Sequence, residues 1–254
     1  MGIILKIDSP PTKQANNEQS QACEIVRGGR KEGFKMKNYI NKNEYISITK
    51  HGGKMEGIPS ISTNKYTNEN CAKLMNNHNN NTICKFCFVD KVTKQYKTLT
   101  NALQNNTDIL TTRLLSKNEI ARLVDIQNRL YVRFESFGDL NNEIQLLNYC
   151  NIAKFYKLTN FALWTKHFNI LIKFFKNGHK LPKNLTLVLS APLINKGLNN
   201  LLVEKIKTHH KNTITFEVVS DANTPGINCG GRKCMDCLNC YKPGKKHNVI
   251  ELLK

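Results

Sequence analysis

The sequence predicts an α/β fold: a parallel sheet of βα repeats, open or curled into a partial or complete TIM-like barrel, with a cysteine-rich metal knot at its C-terminal end. Three observations carry that prediction. From residue 130 onward, short apolar stretches alternate with amphipathic ones, with successive strands close enough for parallel crossovers. The short stretches YVRF, FALW, LTLVL and ITFEVV are apolar on both parities, as strands covered on both faces are. Finally, four cysteines crowd the segment INCGGRKCMDCLNCYK close to the C-terminus.

Taken in order, residues 1–43 carry little apolar periodicity and contain the breakers Pro10-Pro11 and Gly28-Gly29, so they read as a disordered or loosely attached segment. Within them, Met36 stands as a second potential start. Glu44–Thr49 (EYISIT) alternates apolar and polar and is expected to form the first strand. A loop follows through HGGKMEGIPSIST and the polar tract NNHNNN. Helical spacing covers Ala102–Leu110 and Lys117–Gln127, the second opening on a capping box formed by Ser116 and Glu119. Strands are then expected at Leu130–Glu135, Phe161–Thr165, Leu185–Ser190 and Thr213–Val219, with helices at Asn142–Tyr156, Phe168–Asn177 and Lys196–Thr208 between them. Residues 44–225 thus make a barrel-like domain holding a first cysteine group, and residues 226–254 a metal-binding tail.

No stretch approaches the roughly 18 apolar residues of a membrane span, and the N-terminus lacks the charge order of a signal peptide. A reducing cytoplasm is the expected location, where clustered cysteines act as metal ligands or redox thiols. The net charge of +19 would concentrate phosphate-bearing partners, nucleic acid foremost, although an AT-rich coding bias produces the same lysine-rich surface. Glycine-rich dinucleotide and P-loop signatures are missing.

Cys71, Cys84 and Cys87 form the first cysteine group, and Cys229, Cys234, Cys237 and Cys240 the second; Cys23 and Cys150 stand alone. Thiolates at such spacing suit Zn²⁺ or an iron–sulfur cluster. A zinc site in the first group would need a fourth ligand, His78 or His51, and His247 could replace one ligand in the tail. In a parallel sheet the chemistry gathers at the carboxyl ends of the strands. Those ends read Glu135-Ser136-Phe137-Gly138-Asp139, Trp164-Thr165-Lys166-His167, Ser190-Ala191-Pro192 and Ser220-Asp221. Asp139 is a candidate base or cofactor-positioning group, or else the N-cap of the helix after it. Lys166 is a candidate for holding an anion at the pocket floor, with Ser190 beside it. Arg133 is expected to pair with Glu135 as a structural ion pair, or else with a ligand anion. His209-His210 reads as surface, and Phe155, Phe161, Phe174 and Phe175 as core.

GGKMEGIPSIST, a Cys, then Cys-x-x-Cys with an aromatic beside it resembles the opening of phage gene product 88 proteins. Arg133 with Gly138-Asp139, Trp164-Thr165-Lys166, Leu181-Pro182-x-Asn184-Leu185, strand-Ser-Ala and Cys-Gly-Gly-x-x-Cys-x-x-Cys follow in that family's order over roughly residues 44–245. The family's layout is similar to that of radical S-adenosylmethionine enzymes. That resemblance implies a [4Fe–4S] cluster on Cys71, Cys84 and Cys87, shielded by Phe86. It also implies S-adenosylmethionine held at Gly138 and Asp139, and an auxiliary cluster or zinc on the tail cysteines. The twelve residues between Cys71 and Cys84 depart from the usual three. The expected function is a metal-dependent, radical-type enzyme acting on nucleic acid or a precursor. The alternative is a zinc-binding, non-enzymatic basic module that holds nucleic acid or a host protein.

Overall fold

Six strands lie side by side in the order of the chain, all parallel, in a computed structural model that describes residues 45–77, 81–126, 128–244 and 248–253. The expectations for residues 1–43, including Met36 and Cys23, and those for His78 and His247 fall outside the described residues. The strands are β1 (Ser60–Ile61), β2 (Tyr131–Phe134), β3 (Asn160–Thr165), β4 (Leu185–Ser190), β5 (Thr213–Val219) and β6 (Val249–Leu252). Four helices, α1 (Glu69–Met75), α2 (Val89–Gln95), α3 (Lys97–Thr112) and α4 (Lys117–Leu123), connect β1 to β2. Single helices make the next crossovers: α5 (Glu143–Phe155), α6 (Phe168–Lys176) and α7 (Asn200–His209). A one-turn helix, α8 (Cys234–Cys237), lies between β5 and β6. The sheet is open, with no strand pairing between β1 and β6 among the described residues.

Strand alternation divides the side chains into two cores. Ile61, Val132, Phe134, Phe161, Leu163, Leu185, Leu187 and Leu189 face the helices and pack with apolar residues from α3 to α7. Phe134 is fully buried there, stacked between Tyr149 at 4.1 Å and Phe161 at 4.8 Å between ring centroids. The inner face carries Ala162, Val188, Ile214, Phe216, Val218 and Val249, and the cysteine-rich tail covers it through Tyr241, Leu238 and Cys240. The tail therefore folds back against this inner face of the sheet.

For β4 and β5, expectation and structure coincide: both strands have the expected limits. The capping box at Ser116 and Glu119 is formed, although α4 stops at Leu123, short of the expected Gln127. Three expectations need correction. Of the stretch Glu44–Thr49, the described residues 45–49 form no sheet strand: Ile46 N–H donates to Leu123 O, and among them only Thr49 bridges, antiparallel, to Ser60. The first strand is instead Ser60–Ile61, inside the stretch read as a loop, because Ile61 alone supplies its outward apolar face. β6 was hidden in the tail as four residues behind a polar run. Finally, α7 begins at Asn200 rather than Lys196, because the Asn199 side chain caps the N–H groups of Leu201 and Leu202.

Candidate functional site at the carboxyl rim of the sheet

Both ends of the first cysteine group are tied to the carboxyl rim. Asn68 Oδ1 accepts from Cys71 N at 3.0 Å, capping α1, while its Nδ2 donates to the carbonyls of Asp139 at 2.9 Å and Leu140 at 3.2 Å. One buried amide thus caps the helix that carries Cys71 and pins it to the loop after β2. The turn carrying Cys84 is held over the end of β4, with Thr82 bridged to Leu193 and Ile83 N–H bound to Pro192 O at 3.0 Å. Asn68 was not singled out from the sequence. The signal for it was an Asn followed by Glu69 at a helix start, three residues ahead of the first cysteine.

The sulfurs share one electrostatic environment. Burial first, then the Asp139 carboxylate and the Cys84 sulfur, push the Cys71 thiol well up, while the Lys166 ammonium opposes the rise. Burial likewise raises Cys84, opposed by Lys166, with Cys87 and Asp139 adding to the rise. Metal binding here must therefore displace protons from these thiols. Lys65, almost fully buried and paired with Asp90 at 2.7 Å, brings a second cation near Cys87 and Cys84. Phe86 stands beside Cys87 and is 59% exposed. Among the described residues, no set of three or more Cys, His, Asp or Glu side chains stands ready in metal-binding geometry. Cys84 bears electrostatically on Cys71, and Cys87 on Cys84, with Lys166 and Lys65 as cations that act in the opposite sense. His51 is turned elsewhere, its Nε2 within 2.8 Å of Ser60 Oγ and its ring stacked on Phe137. Burial, with Arg133 nearby, lowers its pKa to about 4.

Asp139 is buried and ties β2 to β3. Its Oδ1 accepts from Leu140 N at 2.8 Å and from Thr165 Oγ1, and its Oδ2 accepts from Lys166 N at 2.9 Å. It does not cap the following helix; Asn142 does, accepting from Gln145 N. Lys166 follows β3 half-buried, and Ser190 closes β4 buried on the inner face. His167 opens α6, with its Nδ1 within 3.0 Å of Leu140 O. Gly138 sits where a Cβ would lie 2.6 Å from Thr63 O and 2.8 Å from Glu135 Oε2. Packing alone therefore requires glycine there. Gly138→Ala is expected to destabilise the chain by about 1–3 kcal/mol through overpacking, read as a fall in denaturation midpoint.

The expected Arg133–Glu135 ion pair does not form. Glu135 adopts φ 60°, which breaks the strand alternation and turns its carboxylate toward α5. There it accepts from Gln145 Nε2 at 2.6 Å, Thr63 Oγ1 at 3.1 Å, Thr63 N at 3.3 Å and Tyr149 Oη. Burial outweighs these hydrogen bonds and raises the Glu135 pKa to about 8. Arg133 stays on the inner face, its guanidinium 4.0 Å from the Trp164 ring centroid and its Nε donating to Glu135 O. His210 is also corrected: it is buried and hydrogen-bonded to Leu185 O at 2.8 Å, while His209 stacks on Phe175.

The second cysteine group lies away from this rim, against the inner face. Cys229, Cys234, Cys237 and Cys240 line one small cavity of about 30 Å³ with Lys54 and Leu238. Lys54 Nζ donates to Cys229 Sγ at 3.1 Å and pairs with Glu251 of β6. Cys150 is buried in the helix-facing core, and burial pushes its thiol up to about 12, which makes it inert.

An open, all-parallel α/β sheet with a thiol-lined carboxyl rim defines the class of protein. The chain belongs to the Gene product 88 family, whose model matches residues 21–252. No curated protein and no solved structure matches it. No helix among the described residues is long and apolar enough to cross a membrane.

Proposed function

We propose that the chain is an iron–sulfur enzyme of radical S-adenosylmethionine type, with Cys71, Cys84 and Cys87 as the cluster ligands. The observation that carries the reading is the pinning of two separate cysteine segments, through Asn68 and Thr82, over the ends of β2 and β4, with Cys71 and Cys84 as electrostatic neighbours. Strands in chain order, with cysteines after the first and Gly138-Asp139 after the second, support it further. When bound, the cluster and its cofactor would supply one-electron chemistry that no side chain provides.

The chain's own residues have narrower tasks. Lys166, with Lys65 behind it, offsets the negative charge that three thiolates would bring beside Asp139. Asp139 has hydrogen bonds on both carboxylate oxygens, so it acts as a positioning residue that sets Lys166 and the β2 loop, not as a free base. Phe86, exposed beside Cys87, is the aromatic residue available to shield a bound cluster. Ser190 and the loop at Gly138 are the candidates for contacting a small-molecule cofactor at this rim. The net charge of +19 favours a phosphate-bearing substrate, nucleic acid or a precursor of it.

The test is purification and reconstitution with iron and sulfide without oxygen. A brown protein containing iron and sulfide is expected, and Cys71→Ala or Cys84→Ala should abolish the colour. A colourless protein after reconstitution, or one whose colour survives both substitutions, contradicts the proposal.

A further inference from the structure

The edges of the open sheet meet through side chains. Lys54 lies ahead of β1, yet its ammonium contacts Glu251 on β6 and Cys229 beside it. Glu56, also ahead of β1, pairs with Lys233 of the tail at 2.7 Å. Gly57, at φ 86°, abuts Met235 so closely that a Cβ would fall 2.9 Å from its Cγ. On the far side, Cys229 bridges in parallel to Glu251, and the N–H groups of Asn228 and Cys229 both reach Ile250 O. The cysteine loop therefore fills the seam between the first and last strands, where hydrogen-bonded strands would otherwise close a barrel.

We infer that Cys229, Cys234, Cys237 and Cys240 bind one zinc ion as a closed four-thiolate site, and that this ion, through Lys54, locks the seam between β1 and β6. The donor set is complete within twelve residues. The loop takes the left-handed conformation twice, at Gly231 with φ 69° and at Leu238 with φ 53° between Cys237 and Cys240. Four thiols with no open ligand position match the closed tetrahedral sites that structural zinc takes, and all four line one cavity. Ligation would draw the sulfurs into one tetrahedron at Zn–S distances of about 2.3 Å. Four thiolates around Zn²⁺ leave two negative charges, and two cations stand by. Lys54 donates to Cys229, and the Arg133 guanidinium bears electrostatically on Cys234 and Cys240. Such outer partners orient ligands and offset their charge. The inference is independent of the cluster proposed at Cys71, Cys84 and Cys87.

The test uses the full chain. Metal analysis should find zinc that is lost in Cys234→Ser and Cys240→Ser and retained in Cys84→Ser. Because the serine variants could misfold, the second measurement is hydrogen exchange on the unmodified protein before and after zinc removal by a chelator, and after zinc is restored. Removal should raise exchange in residues 49–59 and 226–253 while β3 and β4 keep their protection, and restoring zinc should reverse the change. In Lys54→Met, zinc should remain, but residues 49–59 should exchange as in the zinc-free protein. Three results would overturn the inference: zinc retained in both tail variants, exchange in both segments indifferent to zinc, or iron rather than zinc tracking the tail cysteines. Protection of residues 49–59 that still follows zinc in Lys54→Met would overturn the part assigned to Lys54.

Discussion

Glu135→Ala is expected to lower the stability of the folded chain by about 3–5 kcal/mol, because it strands several buried donors at once. Gln145, Tyr149 and Thr63 are all fully buried, and each directs at least one hydrogen bond at this carboxylate. The site also titrates. With its folded pKa raised from 4.5 to about 8, Glu135 keeps a proton that the unfolded chain releases. The stability it contributes is complete below about pH 4.5 and is lost as pH rises toward 8, at roughly 1.4 kcal/mol per unit. Glu135→Gln, neutral throughout, should flatten that part of the curve and cost less than alanine. Denaturant unfolding of the three proteins between pH 5 and 8 measures both effects, and an unchanged slope in the glutamine variant would refute the assignment.

The second large effect belongs to Asp139. In Asp139→Ala, the N–H groups of Leu140 and Lys166 and the hydroxyl of Thr165 lose their acceptor. At about 1–3 kcal/mol for each stranded group, a total loss of at least about 3 kcal/mol is expected. The consequence reaches function, since the same loop holds Asn68, and Asn68 caps the helix bearing Cys71. Asp139→Asn preserves Oδ1 but sets an amide against Lys166 N–H, so it should fold with a smaller loss of about 1–3 kcal/mol. If Asp139 positions the rim, the folded asparagine variant should also take up less iron on reconstitution. A variant destabilised to that degree but loading iron fully would leave Asp139 with a purely structural role.

The parts of this architecture that the sequence revealed are those where local chemistry and tertiary burial agree. LTLVL is apolar on both parities because one face meets helices and the other meets the tail, while TITFEVV alternates Ile214, Phe216 and Val218 with Thr213, Thr215 and Glu217, and so β4 and β5 could be placed to the residue. β1, only two residues long, was lost in a Ser/Thr-rich loop, and β6, unlike the equally short β2, was lost behind the polar run of the tail. Glu135 illustrates a different limit. Alternation places it beside Arg133, but a single positive φ sends its carboxylate to the opposite face, and a glutamate gives no sign of that backbone state. Candidate site residues at strand ends could be proposed from register alone, because a parallel sheet puts every carboxyl end on one rim. Long-range placement of the cysteines could not: nothing local says that the tail returns across the sheet to meet Lys54.

The central claim is that the thiols of residues 71, 84 and 87, carried on segments pinned separately to the rim, converge on iron. X-ray absorption at the iron and zinc edges, on protein reconstituted without oxygen, tests it most directly. The account predicts iron bound by sulfur, with iron–iron scattering that disappears in Cys84→Ala while the zinc signal persists. Zinc at both cysteine groups, with no iron bound, would contradict it.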